Sequence, residues 1–322
     1  MRIGVLTSGG DSPGMNACIR AIVRIGCKQG FEVYGIVGGY QGILDEAYVS
    51  LDARSVAKII HRGGTILTTG RSEDFKTKAG LKKAAEKLRK KDINALIAIG
   101  GDGTMRGLYE LGKRWKDGLL IGVPGTIDND VFGTDHSIGF DTAVNNALVA
   151  IDKIRDTAEA FSRVFLIEVM GRHSGAIAAH VGIASGASAI VIPETPTDLD
   201  EIAQIIIDER RKGKMSSIII VAEGDEAGDA TAIASKLTDK VEEGCRVSIL
   251  GYIQRRGNPT HCDRILATRL GAYAIDCILE GKTGIMVGES GRGLVETPFE
   301  DTWKKKKHIE EWMLESMTDL SS

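Results

Sequence analysis

The chain has 322 residues, of which 43% are hydrophobic and 26% are charged, the composition of a globular protein long enough for two domains. A net charge of −3 and the lack of a basic stripe argue against nucleic-acid binding. No apolar run could span a membrane, and the N-terminus reads directly into a strand, so we expect no signal peptide and a cytoplasmic location. Five scattered cysteines without a CxxC pair indicate reduced thiols, not disulfides or a zinc site.

The first half of the chain alternates strand-like apolar runs with helical patterns. Strands are predicted at 2–7, 31–37, 93–100 and 119–123. Helices are predicted at 17–30, 78–92, 105–115 and 141–161. The glycine-rich loop SGGDSPGMN at 8–16 joins the first strand to the first helix, which opens a βαβ unit.

A second series of the same kind begins near residue 164. Its strands are predicted at 164–169, 188–194 and 216–224, and its helices at 176–185 and 197–213. Such alternation predicts mainly parallel sheets with helices on both faces, and hence two three-layer α/β domains. The charge run WKKKKHIEEW at 303–312 is typical of a solvated helix face.

Polar loops follow these strands, at 8–16, 100–104, 124–130 and 170–175, and at Glu223. Ligands of open α/β sheets bind at the carboxyl ends of strands. The first two loops are rich in glycine and lead into helices, whose N-terminal amides and dipoles favour phosphate. Neither loop matches GxGxxG or GxxxxGK[ST], which weakens the classical dinucleotide and Walker interpretations.

Two of these loops carry acids that suit phosphoryl transfer. Asp102, within GGDGT, would repel phosphates unless a cation lies between them, and Mg²⁺ bound to ATP is the natural bridge. A turn-forming or capping aspartate is the alternative. In PGTIDND, Asp128 is a candidate proton acceptor, and Thr126 can donate to the transferring phosphoryl group. Asp130 could support the magnesium shell or orient the loop, although an acidic surface turn is a weaker alternative.

Arginines supply the positive charge that such a reaction needs. Arg71 and Arg172 are candidates for the transferring oxygens. Arg163, Arg246 and Arg255 suit a phosphate already on the substrate, because the guanidinium fork matches phosphate. Each arginine alone is more often a surface residue, so the five gain weight only as a set.

The motifs GGDSPGMN, GGDGT, PGTIDND, EVMGR and ILGYIQR followed by DRILATRLGAYA together resemble the bacterial-type ATP-dependent 6-phosphofructokinase family over essentially the whole chain. GGDGT alone also resembles NAD kinases and diacylglycerol kinases. The resemblance implies transfer of the ATP γ-phosphoryl group to the 1-hydroxyl of fructose 6-phosphate, with Mg²⁺, at an active site in the cleft between two domains. It implies a discontinuous nucleotide-binding domain at 1–139 plus 253–304, and a sugar-phosphate-binding domain at 140–252 plus 305–322.

The resemblance also implies roles for individual residues. The catalytic set is Asp128 as proton acceptor, Thr126, Arg172 and Arg71. The nucleotide site is Gly10, Arg71, Ser72, Gly101, Asp102, Gly103 and Thr104, with Asp102 at the magnesium position. The sugar-phosphate site is Thr126, Ile127, Asp128, Arg163, Met170, Gly171, Arg172, Glu223, Arg246, Tyr252 and Arg255.

Assembly and regulation follow from the same resemblance. Residues at the positions of Arg163 and Arg246 reach a neighbouring subunit's site in the family, which implies an oligomer, usually a tetramer. The candidate effector residues are Arg20, Arg24, Arg155, Lys212 and Lys214. Ala53 stands where an arginine is common and Ser188 where an acid is common, so we expect an altered response to ADP and phosphoenolpyruvate.

Two glycines bear on the phosphoryl donor. Pyrophosphate-dependent relatives typically have aspartate and lysine at the positions of Gly103 and Gly125, so this chain favours ATP. Other departures are Tyr252 for the usual histidine, Ser72 for an aromatic residue and Arg256 for a glycine. The alternatives are a pyrophosphate-dependent enzyme, a NAD-kinase-like or lipid-kinase-like enzyme, and a non-catalytic subunit. A dehydrogenase is disfavoured because GxGxxG and the acid that should follow it are missing.

Overall fold

The structure, a computed structural model, describes residues 1–241 and 244–319 and divides into two compact units. The first unit contains Met1–Thr142 and Arg255–Lys307. The second contains Ala143–Gln254 and the segment from His308 onward. The chain therefore passes between the units three times. Which ligand each domain binds stays a prediction.

Strands of both units alternate with helices along the described residues. In chain order the strands are β1 Arg2–Ser8, β2 Glu32–Ile36, β3 Tyr48–Leu51, β4 Ala95–Gly100, β5 Leu119–Pro124, β6 Val164–Val169, β7 Ala189–Val191, β8 Ser217–Ala222, β9 Cys245–Ile249, β10 Ile285–Ser290 and β11 Gly293–Pro298. The predicted strands fall within one or two residues of β1, β2, β4, β5, β6 and β8, and β7 lies inside its predicted run.

Helices occupy most of the intervening segments. They are α1 Met15–Lys28, α2 Tyr40–Leu44, α3 Lys78–Lys90, α4 Asp102–Gly112, α5 Phe140–Ala160, α6 Ala176–Ser185, α7 Leu199–Arg211, α8 Ala230–Thr238, α9 His261–Leu279, α10 Asp301–Lys304 and α11 Glu311–Asp319. Among the residues described, none of these helices combines the length and apolar character needed to cross a membrane.

The first unit is built on a seven-stranded sheet with strand order β11-β10-β5-β4-β1-β2-β3. Its five central strands run parallel, and β3 and β11 pair antiparallel at the edges. Successive strand residues point to opposite faces, so the sheet separates two cores. Val5, Ile97 and Ile121 pack with α1 and α9 on one face. Leu6 and Leu96 pack with α2, α3 and α4 on the other.

The second unit is built on a four-stranded parallel sheet with strand order β7-β8-β6-β9. Val164 of β6 and Ile219 of β8 pack in one core with Ile206 of α7 and Ile233 of α8. Helix α6 contacts β7 and β8, and α11 contacts α6 and β7. The layered, mainly parallel architecture confirms the predicted α/β class.

Strand register brings the predicted polar loops to one edge of each sheet. In the first unit Ser8 pairs with Gly100, and Gly100 pairs with Pro124, so the loops after β1, β4 and β5 begin side by side. In the second unit Val169 pairs with Ala222, so the loops after β6 and β8 begin as neighbours.

The segment 303–312 is not the continuous helix that its charge pattern predicts. Helix α10 ends at Lys304, Lys305 has an extended backbone conformation, and α11 begins at Glu311. Lys304 to Lys306 are exposed, but Lys307 is half-buried and donates hydrogen bonds to the loop after β5. The prediction of a solvated helix face is therefore wrong over 305–310. These residues are not helical, and the Lys307 side chain contacts another loop instead of solvent alone.

A buried carboxylate holds the start of α5. Asp263, in the first turn of α9, accepts hydrogen bonds from the Gly139 N–H (2.7 Å), the Thr142 N–H (2.8 Å) and the Thr142 hydroxyl. Thr260 caps α9 by accepting from the Asp263 N–H. Burial raises the pKa of Asp263 from 3.8 to about 6, because a low-polarity environment disfavours the charged form. One side chain thus joins the N-terminal ends of two helices.

Replacing Asp263 by alanine should destabilise the protein, because two buried N–H groups lose their acceptor. We expect a loss of about 2–6 kcal/mol in the free energy of unfolding at pH 7, at roughly 1–3 kcal/mol for each of the two orphaned donors. Urea unfolding measures it, and Asp276→Ala on the exposed face of α9 is the matched control. Equal losses of unfolding free energy in the two variants would show that the hydrogen bonds of Asp263 do not stabilise the protein.

The raised pKa also predicts a pH dependence of stability. Between about pH 4 and pH 6, Asp263 is protonated more in the folded protein than in the unfolded chain. The contribution of Asp263 to the free energy of unfolding therefore falls as pH rises through that window. The Asp263→Ala variant should lack this component.

Candidate active site

The glycine-rich loop after β1 lies beside the segment that carries Arg71. The Gly9 N–H donates to the Gly70 carbonyl (3.4 Å), and the Thr69 hydroxyl donates to the Gly9 carbonyl (3.0 Å). Arg71 is exposed at the end of this pair of segments. Its guanidinium is therefore within reach of an anion at the edge of the first sheet.

An arginine approaches Gly10 closely. A Cβ at Gly10 would lie 2.2 Å from Arg255 Nη1, which also donates to the Asp11 carbonyl (3.2 Å). The Nε atom of Arg255 is buried and has no hydrogen-bond partner among the described residues. The structure thus places Arg255 with the glycine-rich loop of the first unit, while most residues predicted for the sugar phosphate lie in the second unit.

The Ser72 hydroxyl is engaged within the protein. It donates to Gln41 Oε1 (2.6 Å) and accepts from the Phe75 N–H (3.1 Å), at the start of a short 3-10 turn. The Ser72 hydroxyl proton is therefore used within the protein, and the oxygen keeps one acceptor lone pair.

The GGDGT loop forms the first turn of α4. Asp102 is the first residue of that helix, its side chain is 45% exposed, and Arg106 Nη2 lies 3.6 Å from its carboxylate. Thr104 is buried and donates through its hydroxyl to the Ser8 carbonyl (3.2 Å). The amides of this turn are at a helix N-terminus, the position that favours phosphate.

The available donors suit Mg²⁺ bound with a nucleotide. Asp102 and Asp130 are accessible carboxylates, and carboxylate oxygen is a preferred ligand of Mg²⁺. Within the part of the chain that is described, no three His, Cys, Asp or Glu side chains form a metal cluster. An ion here would therefore take most of its ligands from phosphate oxygens and water, as Mg²⁺ usually does.

The loop after β5 is fixed by its own side chains. Asp128, only 3% exposed, donates its N–H to the Thr126 hydroxyl (3.2 Å). The Ser137 hydroxyl donates to the Thr126 carbonyl (2.6 Å), and the Asn129 side-chain oxygen accepts from the Ser137 N–H (2.9 Å). The Gly125 N–H donates to the Gly100 carbonyl (2.9 Å), which joins this loop to the GGDGT loop.

The loop after β6 carries Met170, Gly171 and Arg172 at the matching edge of the second sheet. Gly171 has φ of +146°, and a Cβ there would lie 2.3 Å from the Ser174 carbonyl oxygen, so the turn needs glycine. Arg172 is exposed and has φ of +55°, a conformation that a non-glycine residue rarely adopts.

Glu223 lies next to that loop. Its N–H donates to the Val169 carbonyl (2.9 Å), and its Oε2 atom is buried with no hydrogen-bond partner among the described residues. The fully buried Gln254 accepts from the Met170 N–H (3.3 Å) through Oε1. The second unit therefore presents a carboxylate with spare acceptor capacity beside a strained arginine.

Two predicted phosphate ligands lie at the other end of the second sheet. Arg163 directly precedes β6, and its guanidinium lies 4.8 Å from the centre of the Phe161 ring. Arg246 is exposed on β9, which pairs with the start of β6. The length of β6 separates Arg163 from Met170 by roughly 20 Å. Tyr252 is 75% exposed after β9.

The candidate effector cations are divided between the units. Arg20 and Arg24 lie on α1, and the other three belong to the second unit, namely Arg155, Lys212 and Lys214. Lys214 donates to the Ser188 hydroxyl (3.0 Å) and forms an ion pair with the buried Glu209. Its charge is already partnered within the chain.

Several positioning residues were not identified from the sequence. Asn129 could have been, since asparagine tolerates the left-handed conformation that it adopts here (φ of +50°). The others contact residues that are distant in the sequence or across a loop, and no local sequence pattern predicts such contacts. They are Ser137, Gln254, Asp263 and Lys307.

The chain is similar to known proteins along nearly its whole length. Residues 2–278 match the family model described as Phosphofructokinase. The ATP-dependent 6-phosphofructokinase 1 of Thermus thermophilus is 51% identical over 314 residues, which cover 97% of each chain. The ATP-dependent 6-phosphofructokinase of Shouchella clausii is 49% identical over 320 residues, which cover 99% of each chain.

Solved structures share the fold. Phosphofructokinase from Saccharomyces cerevisiae matches with a TM-score of 0.91 and 33% identity, over 99% of this chain and 48% of that longer one. Pyrophosphate-dependent phosphofructokinase from Marinobacter aquaeolei matches with a TM-score of 0.85 over 100% of this chain and 92% of that one, and its 22% identity shows a common fold alone. The family match and the full-length relatives establish that this chain belongs to the phosphofructokinase family.

Proposed function

We propose that the chain is an ATP-dependent 6-phosphofructokinase, which converts ATP and fructose 6-phosphate to ADP and fructose 1,6-bisphosphate. Relatives that are 51% and 49% identical over almost the whole chain carry that name. The structural observation that carries the proposal is the buried Asp128, held by a hydrogen-bonded loop that is joined to the GGDGT loop. The cytoplasmic location stays a prediction.

Asp128 is the proton acceptor in this proposal. The 1-hydroxyl of the sugar must lose its proton as it attacks phosphorus, and a fixed carboxylate can take it. The Thr126 hydroxyl already accepts from the Asp128 N–H. Its own proton therefore points elsewhere, and it can donate to the transferring phosphoryl group. Ile127, fully buried between them, fixes the spacing of the two side chains.

The nucleotide belongs at the edge of the first sheet. Backbone amides at Gly101–Gly103 face its phosphates, with the partial positive charge of the α4 N-terminus, whereas the Thr104 N–H already donates to the Gly101 carbonyl. Arg71 and the loop at Gly10 supply further contacts. When bound, Mg²⁺ neutralises charge on the phosphates, and Asp102 and Asp130 are the residues that would hold it.

The sugar phosphate belongs with residues after β6 and β8. Arg172 adds positive charge for the transferring group, and Met170 and Gly171 shape the turn that presents it. The spare acceptor atom of Glu223 suits a sugar hydroxyl, because a buried carboxylate oxygen without a donor is costly. The roles of Tyr252 and Arg255 toward the sugar phosphate stay predictions.

A homotetramer with shared sites is the assembly that we propose. Arg163 and Arg246 lie together at the end of the second sheet opposite Met170–Arg172. They are therefore too far from Met170–Arg172 to bind the same sugar phosphate within one chain. They can instead bind a sugar phosphate in the site of another copy. The family resemblance assigns them that role.

An altered effector response is proposed on two observations. Ser188 replaces the common acid, and the Lys214 ammonium is bound to Glu209 and Ser188 instead of being available to an anion. We expect a fructose 6-phosphate saturation curve that ADP and phosphoenolpyruvate change little. A sigmoidal curve that ADP relieves would contradict this expectation.

The donor assignment depends on one of the two glycines more than the other. A Cβ at Gly103 would meet nothing within 4 Å, so the protein leaves open space there. A Cβ at Gly125 would lie 2.8 Å from Ile99 Cγ2 and 3.3 Å from Met15 Cε, so this glycine serves the core. Open space that could admit the larger donor ATP is therefore found at Gly103, whereas core side chains lie beside Gly125.

The Gly103→Ala variant should separate folding from nucleotide binding. The added methyl group touches no protein atom within 4 Å and favours the helix, so the unfolding midpoint should hold or rise slightly. If ATP approaches this position, its KM should rise about 10- to 100-fold, the effect of a misfit worth roughly 1–3 kcal/mol. The KM for fructose 6-phosphate is the internal control. An unchanged KM for ATP would remove Gly103 from the site.

The reaction itself is tested by initial rates with purified protein, Mg²⁺ and fructose 6-phosphate, given ATP in one assay and pyrophosphate in the other. We expect fructose 1,6-bisphosphate with ATP alone. Product with pyrophosphate alone would refute the donor assignment, and no product with either donor would refute the proposed activity.

A further inference from the structure

Lys307 departs from its neighbours in the lysine run. Lys304, Lys305 and Lys306 are exposed, whereas Lys307 is half-buried and lies outside the helices on either side. It is also the last residue of the first unit before the chain enters the second. A lysine with this placement must be explained by what its ammonium group contacts.

The ammonium group binds the loop after β5 at two points. Lys307 Nζ donates to Asn129 Oδ1 (2.8 Å) and to the Asp135 carbonyl oxygen (2.6 Å). Asn129 Nδ2 donates to the same Asp135 carbonyl (3.2 Å). Lys307 and Asn129 thus share an acceptor and bond to each other, which closes a small ring around that carbonyl.

The Asn129 side chain links several parts of the loop after β5. Its Oδ1 atom accepts from the Ser137 N–H (2.9 Å) and from Lys307 Nζ (2.8 Å), and the Ser137 hydroxyl, which donates to the Thr126 carbonyl, lies 3.2 Å away. Its backbone is left-handed, with φ of +50°, and the preceding residue is Asp128. A non-glycine residue in this conformation persists only where its surroundings hold it.

Lys307 makes the charge-assisted bond in this set. Hydrogen bonds from a cationic donor are roughly twice as strong as neutral ones. Asn129 is 6% exposed, so little water competes for its oxygen. Removing the ammonium group leaves Asn129 Oδ1 with the Ser137 N–H as its donor and loosens the residue that follows Asp128.

We propose that Lys307 is a positioning residue for phosphoryl transfer, and that it acts through Asn129 to hold Asp128 toward the acceptor hydroxyl. This inference rests on the proposed function. A lysine that served only to anchor the chain would affect folding and leave the chemical step unchanged. A displacement of about 1 Å at a reacting group can lower the rate of that step about 10²-fold.

The test compares Lys307→Met with Lys307→Arg and with Lys306→Met, the adjacent exposed lysine, in the full-length protein. Lys307→Met should lower kcat by about 10- to 100-fold while the KM values of ATP and fructose 6-phosphate change less than about threefold. Arginine can donate to both oxygens, so Lys307→Arg should recover most of kcat. Lys306→Met should match the wild type.

A double mutant tests the route through Asn129. Asn129→Gly tolerates the same backbone angle and removes the side-chain oxygen. In that background Lys307→Met should lower kcat less than about threefold further, because residues that act as one unit are not additive. A full additional loss would show that Lys307 acts by another route.

Hydrogen exchange of the peptide 125–139 gives a readout that needs no activity. Exchange should accelerate in Lys307→Met and not in Lys306→Met. If the wild type turns over, an unchanged kcat or an unchanged exchange rate in Lys307→Met would overturn the inference. A wild type inactive toward these substrates would refute the proposed function and, with it, the assigned role in phosphoryl transfer.

Discussion

The parallel pairing of β1, β4 and β5 is the constraint on which the rest of the site depends. Because Ser8, Gly100 and Pro124 stand in register, the three loops that follow them must share one edge of the sheet. The direct bond between Gly125 and Gly100 then makes two of these loops one surface. The proposed phosphate site at a helix N-terminus and the proposed proton acceptor lie at one edge because the strands end together.

Two of the seven described non-glycine residues with positive φ lie at predicted catalytic groups, one in each unit. Asn129 and Arg172 are both left-handed, one beside the predicted proton acceptor and the other itself a predicted ligand of the transferring group. Such conformations cost about 1–3 kcal/mol each and persist where neighbours hold them. In the first unit the neighbours are Ser137 and Lys307, and the folding of distant segments thus stabilises a geometry that local sequence would not.

Much of the fold, and the loops that form the candidate site, could be predicted from the sequence, because apolar strands, glycine-rich turns and helix periods are local patterns. PGTIDND was found because its acids follow an apolar run. The residues that hold it were not, because Ser137 and Lys307 reach Asn129 across separations of 8 and 178 residues. The same limit explains the error at 303–312, where charge pattern predicted a solvated helix and a long-range contact took Lys307 out of solvent. The packing at Gly125 was likewise invisible in the sequence, since only the structure shows which atoms surround a missing side chain.

The central claim is that Asp128, fixed by this loop, accepts the proton during phosphoryl transfer. Asp128→Asn keeps the shape of the side chain and removes its basicity, so kcat and ATP binding should be measured on the same preparation. The account predicts a fall in kcat of about 10²–10⁴-fold with the dissociation constant of ATP changed less than about twofold. A variant that turns over within about tenfold of the wild type would contradict it and would remove Asp128 from the chemical step.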